Sequence, residues 1–193
     1  MQNYFYLKML SSDRLKYIEG IQKYTRFSVV TTIAIAIVVL VIIVVSHTVI
    51  KEKELSDILY SPFLMITVVA LLLYCFILYR IKQRTQRLQE LIKQMSEEEF
   101  QFLLQAQSSL SFYYKYAPTF VICRDRLYLF TLFEIKEIDP KKVEKVAYHY
   151  ARGGSFLVEI QSPETTKLEV YTSSFPYLKS LIRKYNPNAD IKD

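Results

Sequence analysis

Two histidines, two cysteines and one run of carboxylates are the side chains of this 193-residue sequence whose types could do chemistry. An imidazole titrates near pH 6.5, so His47 or His149 could act as a general base. Neither has a nucleophile at a recognisable spacing. Cys75 and Cys123 have no His or Cys neighbour at metal-ligand spacing, and both read as small apolar residues. The tetrad Ser96-Glu97-Glu98-Glu99 resembles a cation cluster, but consecutive helical positions diverge by about 100° each. Ser96 followed three residues later by Glu99 reads instead as a capping box, with Met95 and Phe100 as its hydrophobic staple. Glycine occurs three times, too few for a phosphate-cradling loop, and neither HExxH nor GxSxG is present. No catalytic, cofactor-binding or metal-ligating residue is expected, and the chain is not expected to be an enzyme.

The charge pattern is more informative. The net charge is +6 and the pI about 9.1. Arg80, Lys82, Arg84 and Arg87 cluster in "RIKQRTQR", directly after an apolar run. Anionic headgroups attract each such residue by about 1 kcal/mol at best, so these four are candidate membrane-surface contacts. Lys141, Lys142 and Lys145 follow Pro140 in a turn, and Arg152 lies in the next one. These four are candidate contacts for a ligand or an acidic partner. The basic residues concentrate beside the apolar runs, so nucleic acid is not an expected partner.

Those runs dominate the first half of the chain. "FSVVTTIAIAIVVLVIIVVS" (27–46) and "ILYSPFLMITVVALLLYCFILY" (58–79) carry no charge, and mean hydropathy is +0.12. Either run reaches the roughly 20 helical residues that a bilayer core requires. In lipid the backbone must bond to itself, so helix overrides the β preference of Val and Ile. The first run starts late and lacks a cleavage site, unlike a signal peptide. Lys8, Arg14, Lys16, Lys23 and Arg26 precede it, and Arg80, Lys82, Arg84 and Arg87 follow the second run. The connection holds only Lys51 and Lys53, beside three carboxylates. The expectation is a transmembrane hairpin in the inner (cell) membrane, multi-pass, with both termini cytoplasmic. Tyr24, Phe27, Tyr60, Phe63, Tyr74 and Tyr79 would form its aromatic belts. On this topology Cys75 and Cys123 lie in different phases and stay free.

The expected organisation is fourfold. Residues 1–26 form a cytoplasmic amphipathic segment, with Leu15, Ile18, Ile21 and Tyr24 three apart and Gly20 against a regular helix. Residues 27–79 hold the hairpin. Residues 80–108 make a helical stalk and elbow, with Leu88, Leu91, Ile92 and Met95 as its apolar edge. Residues 109–193 form a cytoplasmic β domain, because the apolar period becomes two: Phe120 and Ile122; Val146, Tyr148 and Tyr150; Phe156, Val158 and Ile160; Leu168 and Val170. Gly153-Gly154 and "SPETT" are turn signals, so the last three strands make a meander. Phe175, Leu178, Ile182 and Tyr185 then mark one face of a closing helix, with Ser174 as cap and Asn186-Pro187 as stop.

About seven short strands followed by one amphipathic helix resemble the pleckstrin-homology-like domains of bacterial membrane proteins, the bacterial PH or GRAM-like group. "VICRDRLYLF", "FEIKEIDPKKVEKVAYHY" and the helix at 175–185 carry the resemblance, over residues 110–187. One related subgroup has an Ile-Pro-Lys-Arg stretch before its last helix, where this chain reads "LEVYTSSFPYLK". The resemblance implies a curved sheet plugged by a helix, and binding rather than catalysis. The fold class expected is thus an α+β membrane protein: two-helix transmembrane hairpin, helical stalk, PH-like domain. The expected function is non-enzymatic presentation of that domain at the cytoplasmic membrane face for protein or lipid binding. Expected partners are membrane lipids, an unidentified protein that meets exposed sheet edges and the 139–145 and 151–155 turns, and a second copy through the spans or stalk. An immunity protein against a membrane-active or secreted toxin is the alternative, though no residue pattern selects it.

Overall fold

The computed structural model describes residues 12–51, 62–108, 110–131, 134–151 and 153–191. In chain order they form α1 (Ser12–Lys51), α2 (Pro62–Gln94), α3 (Glu97–Ser108) and the single turn α4 (Phe112–Lys115). The strands β1 (Phe120–Cys123), β2 (Arg126–Phe130) and β3 (Ile135–Ile138) follow, then a 3-10 turn (Pro140–Lys142). Next come β4 (Lys145–Ala151), β5 (Ser155–Ser162), β6 (Glu164–Tyr171), α5 (Phe175–Tyr185) and β7 (Asp190–Ile191). The chain divides into two units, one of residues 22–85 and one joining the residues up to Ile21 with those from Gln86 onward.

The described residues of the unit 22–85 are helical. Thr25 and Thr85 join its two helices through a 3.1 Å hydroxyl hydrogen bond, and Thr32 bonds back to the Ser28 carbonyl. Many of its apolar side chains are exposed, among them Val30, Ile35, Leu72 and Leu73. Unbroken stretches of described uncharged side chains cover only 27–38 in α1 and 69–79 in α2. Each is about half of the roughly 20 residues a bilayer core requires. Among the described residues no helix is long and apolar enough to cross a membrane. This corrects the expected transmembrane hairpin over 27–46 and 58–79. The multi-pass inner-membrane location with both termini cytoplasmic, and the aromatic belts, are corrected with it. The connection at 52–61, including Tyr60, lies outside the described residues, as do the side chains of His47 and Phe63.

The second unit is α+β, built on two sheets. One has the order β1-β2-β3 and the other β6-β5-β4-β7. All pairings are antiparallel except β4 with β7, which is parallel. The period of two places Val146, Val158, Ile160, Leu168 and Val170 in the main core, where Phe120, Ile122, Leu127 and Leu129 meet them from the other sheet. Helix α5 closes this core with Phe175, Leu178, Leu181 and Ile182. Leu181 was not on the expected face, and Tyr185 is only partly buried. The seventh strand comes after the closing helix rather than before it.

The first sheet is covered on its other face too, so β1 is buried throughout. Val121, Cys123 and Phe130 turn into a second core with Tyr17, Ile18 and Ile21 of α1, Leu88, Leu91 and Ile92 of α2, Met95, and Phe100 and Leu103 of α3. The residues read from the sequence as a stalk edge are thus the lid of a sheet. Helix α3 serves both cores, because Ala106 and Phe102 face the first. The capping box forms as expected: the Ser96 amide donates to Glu99 at 2.7 Å and the Glu99 amide to Ser96 Oγ at 3.2 Å. Ser174 does not cap α5; its hydroxyl donates to the Ala106 carbonyl at 3.0 Å and ties α5 to the end of α3.

Gly20 lies within α1 without interrupting it. A Cβ there would sit 2.1 Å from the Tyr116 ring, so the glycine is the space that ring occupies. Tyr116 packs on Tyr17 at 5.4 Å, and the Tyr17 hydroxyl donates to the Lys115 carbonyl at 2.8 Å. Burial, with Tyr116 alongside, pushes the Tyr17 phenol far above its ordinary range.

Candidate partner-binding edge

Strand β4 is seven residues long, and β5 pairs with all of it, from Lys145 opposite Gln161 to Ala151 opposite Ser155. On its other side the described residues of β7 pair with Lys145 and Val146. Among the described residues no strand pairs with that side from Ala147 to Ala151. Backbone groups alternate sides along a strand. The Glu144 carbonyl accepts from the Asp190 amide at 2.8 Å. The same alternation aims the amides and carbonyls of Tyr148 and Tyr150 at the open side.

Aromatic rings gather at this edge. Tyr148 packs on Phe156 at 5.1 Å and on Phe175 at 4.5 Å, and Tyr150 meets Phe156 edge-on at 5.7 Å. Tyr150 is nonetheless 70% exposed. The Lys179 ammonium stands 5.9 Å from both the Tyr148 and Phe175 ring centres. His149, between the two tyrosines, points to the opposite face and is exposed. In register with Ala147 stands Glu159, whose carboxylate is bound by Lys167. That bond, more than the neighbouring charges, lowers the Glu159 pKa.

The basic residues singled out from the sequence are not brought together. Lys141 and Lys142 are exposed on the 3-10 turn, which Asp139 caps by accepting from the Lys141 amide at 3.1 Å. Lys145 opens β4, in register with Asp190 of β7. Arg152 lies outside the described residues. Its chain neighbour Ala151 is at the far end of β4, about 20 Å from Lys145 at the rise of an extended strand. In the helical unit, Arg80 and Arg84 share one helix face by their spacing of four, and Lys82 is turned away from it. Arg80 stands 5.9 Å from the Phe76 ring centre. Arg87 belongs to the other unit, where it pairs with Glu90 at 3.3 Å and stacks on Tyr128 at 5.7 Å.

Two groups elsewhere in the β unit are held in their protonated forms. Burial, with Glu99 adding, pushes the Cys123 thiol up to about 11, and its sulfur lies 3.6 Å from the Leu91 carbonyl. Tyr185 donates to Asp125 at 2.7 Å, and burial together with that carboxylate pushes its phenol up to about 12. Among the described residues no group of three or more His, Cys, Asp or Glu could hold a metal ion.

Sequence reasoning named exposed edges in general but not this one. The signal was the Tyr148-His149-Tyr150 alternation. What it lacked was β7, whose two described residues carry no periodic pattern. No protein-family model matches the chain, and no curated relative or solved structure is detectably similar to it.

Proposed function

We propose that this chain is a non-enzymatic binding module whose β unit, a pleckstrin-homology-like fold in outline, holds a protein partner along the open edge of β4. The observation that carries the reading is the coincidence, on the same five residues, of a strand edge that no described strand pairs with and an exposed aromatic, Tyr150. Unpaired edges are ordinarily short, charged or covered, because they invite another strand. Here the edge is flanked by aromatic rings, the side chains most enriched where proteins bind one another. Strand addition supplies affinity through main-chain hydrogen bonds and selectivity through alternate side chains.

The test is site-specific photocrosslinking in the source cells, with a benzoyl-phenylalanine at Tyr150 and, as control, one at Gln94 on an exposed position of α2. A discrete adduct with one protein at position 150, absent at position 94, is expected. Identical adduct patterns at both positions, or none at 150, would refute the proposal.

A further inference from the structure

The second sheet ends on its other side at β6, which is eight residues long. Among the described residues no strand pairs with the outer side of β6. Pro163 alone joins it to β5, and a turn leads from it into α5, so the chain flanking β6 brings no strand to that side. The Thr172 amide donates to the Gly154 carbonyl at 3.1 Å, a pair that continues the β5–β6 register. Alternation from there turns the backbone groups of Thr166, Leu168 and Val170 toward β5, and those of Thr165, Lys167 and Glu169 outward. The outward row ends at Tyr171, whose carbonyl accepts from the Ser174 amide at 2.9 Å. We infer that the occupant of this edge is β6 of a second copy, paired antiparallel about Leu168.

Charge selects both the occupant and the register. Edge charges ordinarily discourage a second strand. On β6 the two exposed charges near the middle are opposite in sign and two residues apart, Lys167 and Glu169. With Leu168 of one copy opposite Leu168 of the other, each Lys167 faces a Glu169. These are the residues whose backbone groups point outward, so each such pair exchanges both ladder bonds. On the core face Thr166 of one copy meets Val170 of the other, and both are buried. Centring the pair on Lys167 or on Glu169 instead sets like charges directly opposite, which disfavours a sheet. Within each copy Lys167 is held by Glu159 and Glu169 by the Ser155 hydroxyl, so both charges are in place before the copies meet. The stretch 165–171 falls short of the roughly 20–30 residues a side of a standard interface, so the pair forms and parts with concentration. It joins two four-stranded sheets into one and leaves the β4 edges outermost, whatever β4 holds.

The experiment follows residue-resolved hydrogen exchange in the full chain at rising protein concentration. The Lys167 and Glu169 amides are expected to slow by at least about tenfold, while the Leu168 amide, turned toward β5, is protected throughout. Lys167→Glu and Glu169→Lys each set like charges opposite one another in a pair of identical copies, and each is expected to lose the effect. An equimolar mixture of the two restores opposite charges across the pair and is expected to regain it. Glu169→Lys leaves the bond from Lys167 to Glu159 intact, so it reads the pairing even where Lys167→Glu loses protection at Leu168. No concentration dependence in the parent overturns the inference. So does its persistence in Glu169→Lys, which would mark association through another surface, or a mixture that fails to regain it with Leu168 still protected.

Discussion

Arg14 shows how much one side chain can do when it meets several unpaired groups at once. Only 9% of its side chain is exposed. It donates to the Met95 carbonyl at 2.7 Å and more weakly to that of Ile92 at 3.5 Å. Both carbonyls belong to the end of α2, where the last helical acceptors have no partner within the helix. Its other nitrogen pairs with Glu97 at 3.0 Å, and its guanidinium lies 5.1 Å from the Phe100 ring centre. The Glu97 carboxyl is held below its usual value first by Gln101, then by Arg14. Because Glu97 is 59% exposed, that ion pair contributes little, whereas the buried carbonyls depend on the arginine. Arg14→Met is expected to cost about 1–3 kcal/mol in urea unfolding, and Glu97→Gln far less. Equal costs for the two would mean that the ion pair, not the helix end, is what Arg14 serves. From the sequence Arg14 counted only as one more positive charge before an apolar run. Its partners are some 80 residues away, and no local pattern announces them.

At the scale of elements, legibility followed burial. Strands β4, β5 and β6 bury one face, so alternation revealed them. β1 buries both faces and reads as an unbroken apolar run, so only its Phe120 and Ile122 face was legible. The β1–β2 turn was recognised from "RDR" but not its geometry. Arg124 and Asp125 both lie in the left-handed region, with φ of 53° and 60°. Two such residues twist a hairpin in the sense its strands require, a role that Asn and Gly usually fill. Asp125 tolerates this region and is held by Tyr185, whereas Arg124 carries the full steric cost. Arg124→Gly is expected to raise stability by about 1 kcal/mol, seen as a higher urea midpoint with an unchanged slope. Asp125→Gly should give no such gain, since it loses the Tyr185 bond. A lower midpoint for Arg124→Gly would place the strain elsewhere.

Over the whole molecule, the β unit is assembled from two stretches of sequence that residues 22–85 separate. The domain expected at 109–193 thus shares its unit and its second core with residues outside that range. Val121, Cys123 and Phe130 are buried only because residues 17–21 and 88–103 cover them. A chain beginning at Gln86 retains the second of these stretches and loses the first. It is expected to unfold at a lower temperature than the full protein, and a synthetic peptide of residues 12–24 added in trans should raise that temperature. The same peptide with Ile21→Asp should not. If the shortened chain melts as the full protein does, the α1 contacts contribute nothing to the fold.

The Tyr17 to Lys115 hydrogen bond joins residues 98 apart in sequence. On a ribosome adding roughly 5–20 residues per second, the first reaches the tunnel about 5–20 s before the second. During that interval Tyr17, Ile18 and Ile21 are apolar side chains with no sheet to cover. Strand β7, which closes one end of the second sheet, follows every other described element in the chain. This fold cannot assemble behind the advancing chain as an N-terminal domain does. It waits until β7 has been made, and a holdase that shields residues 12–21 would be expected to act on the nascent chain.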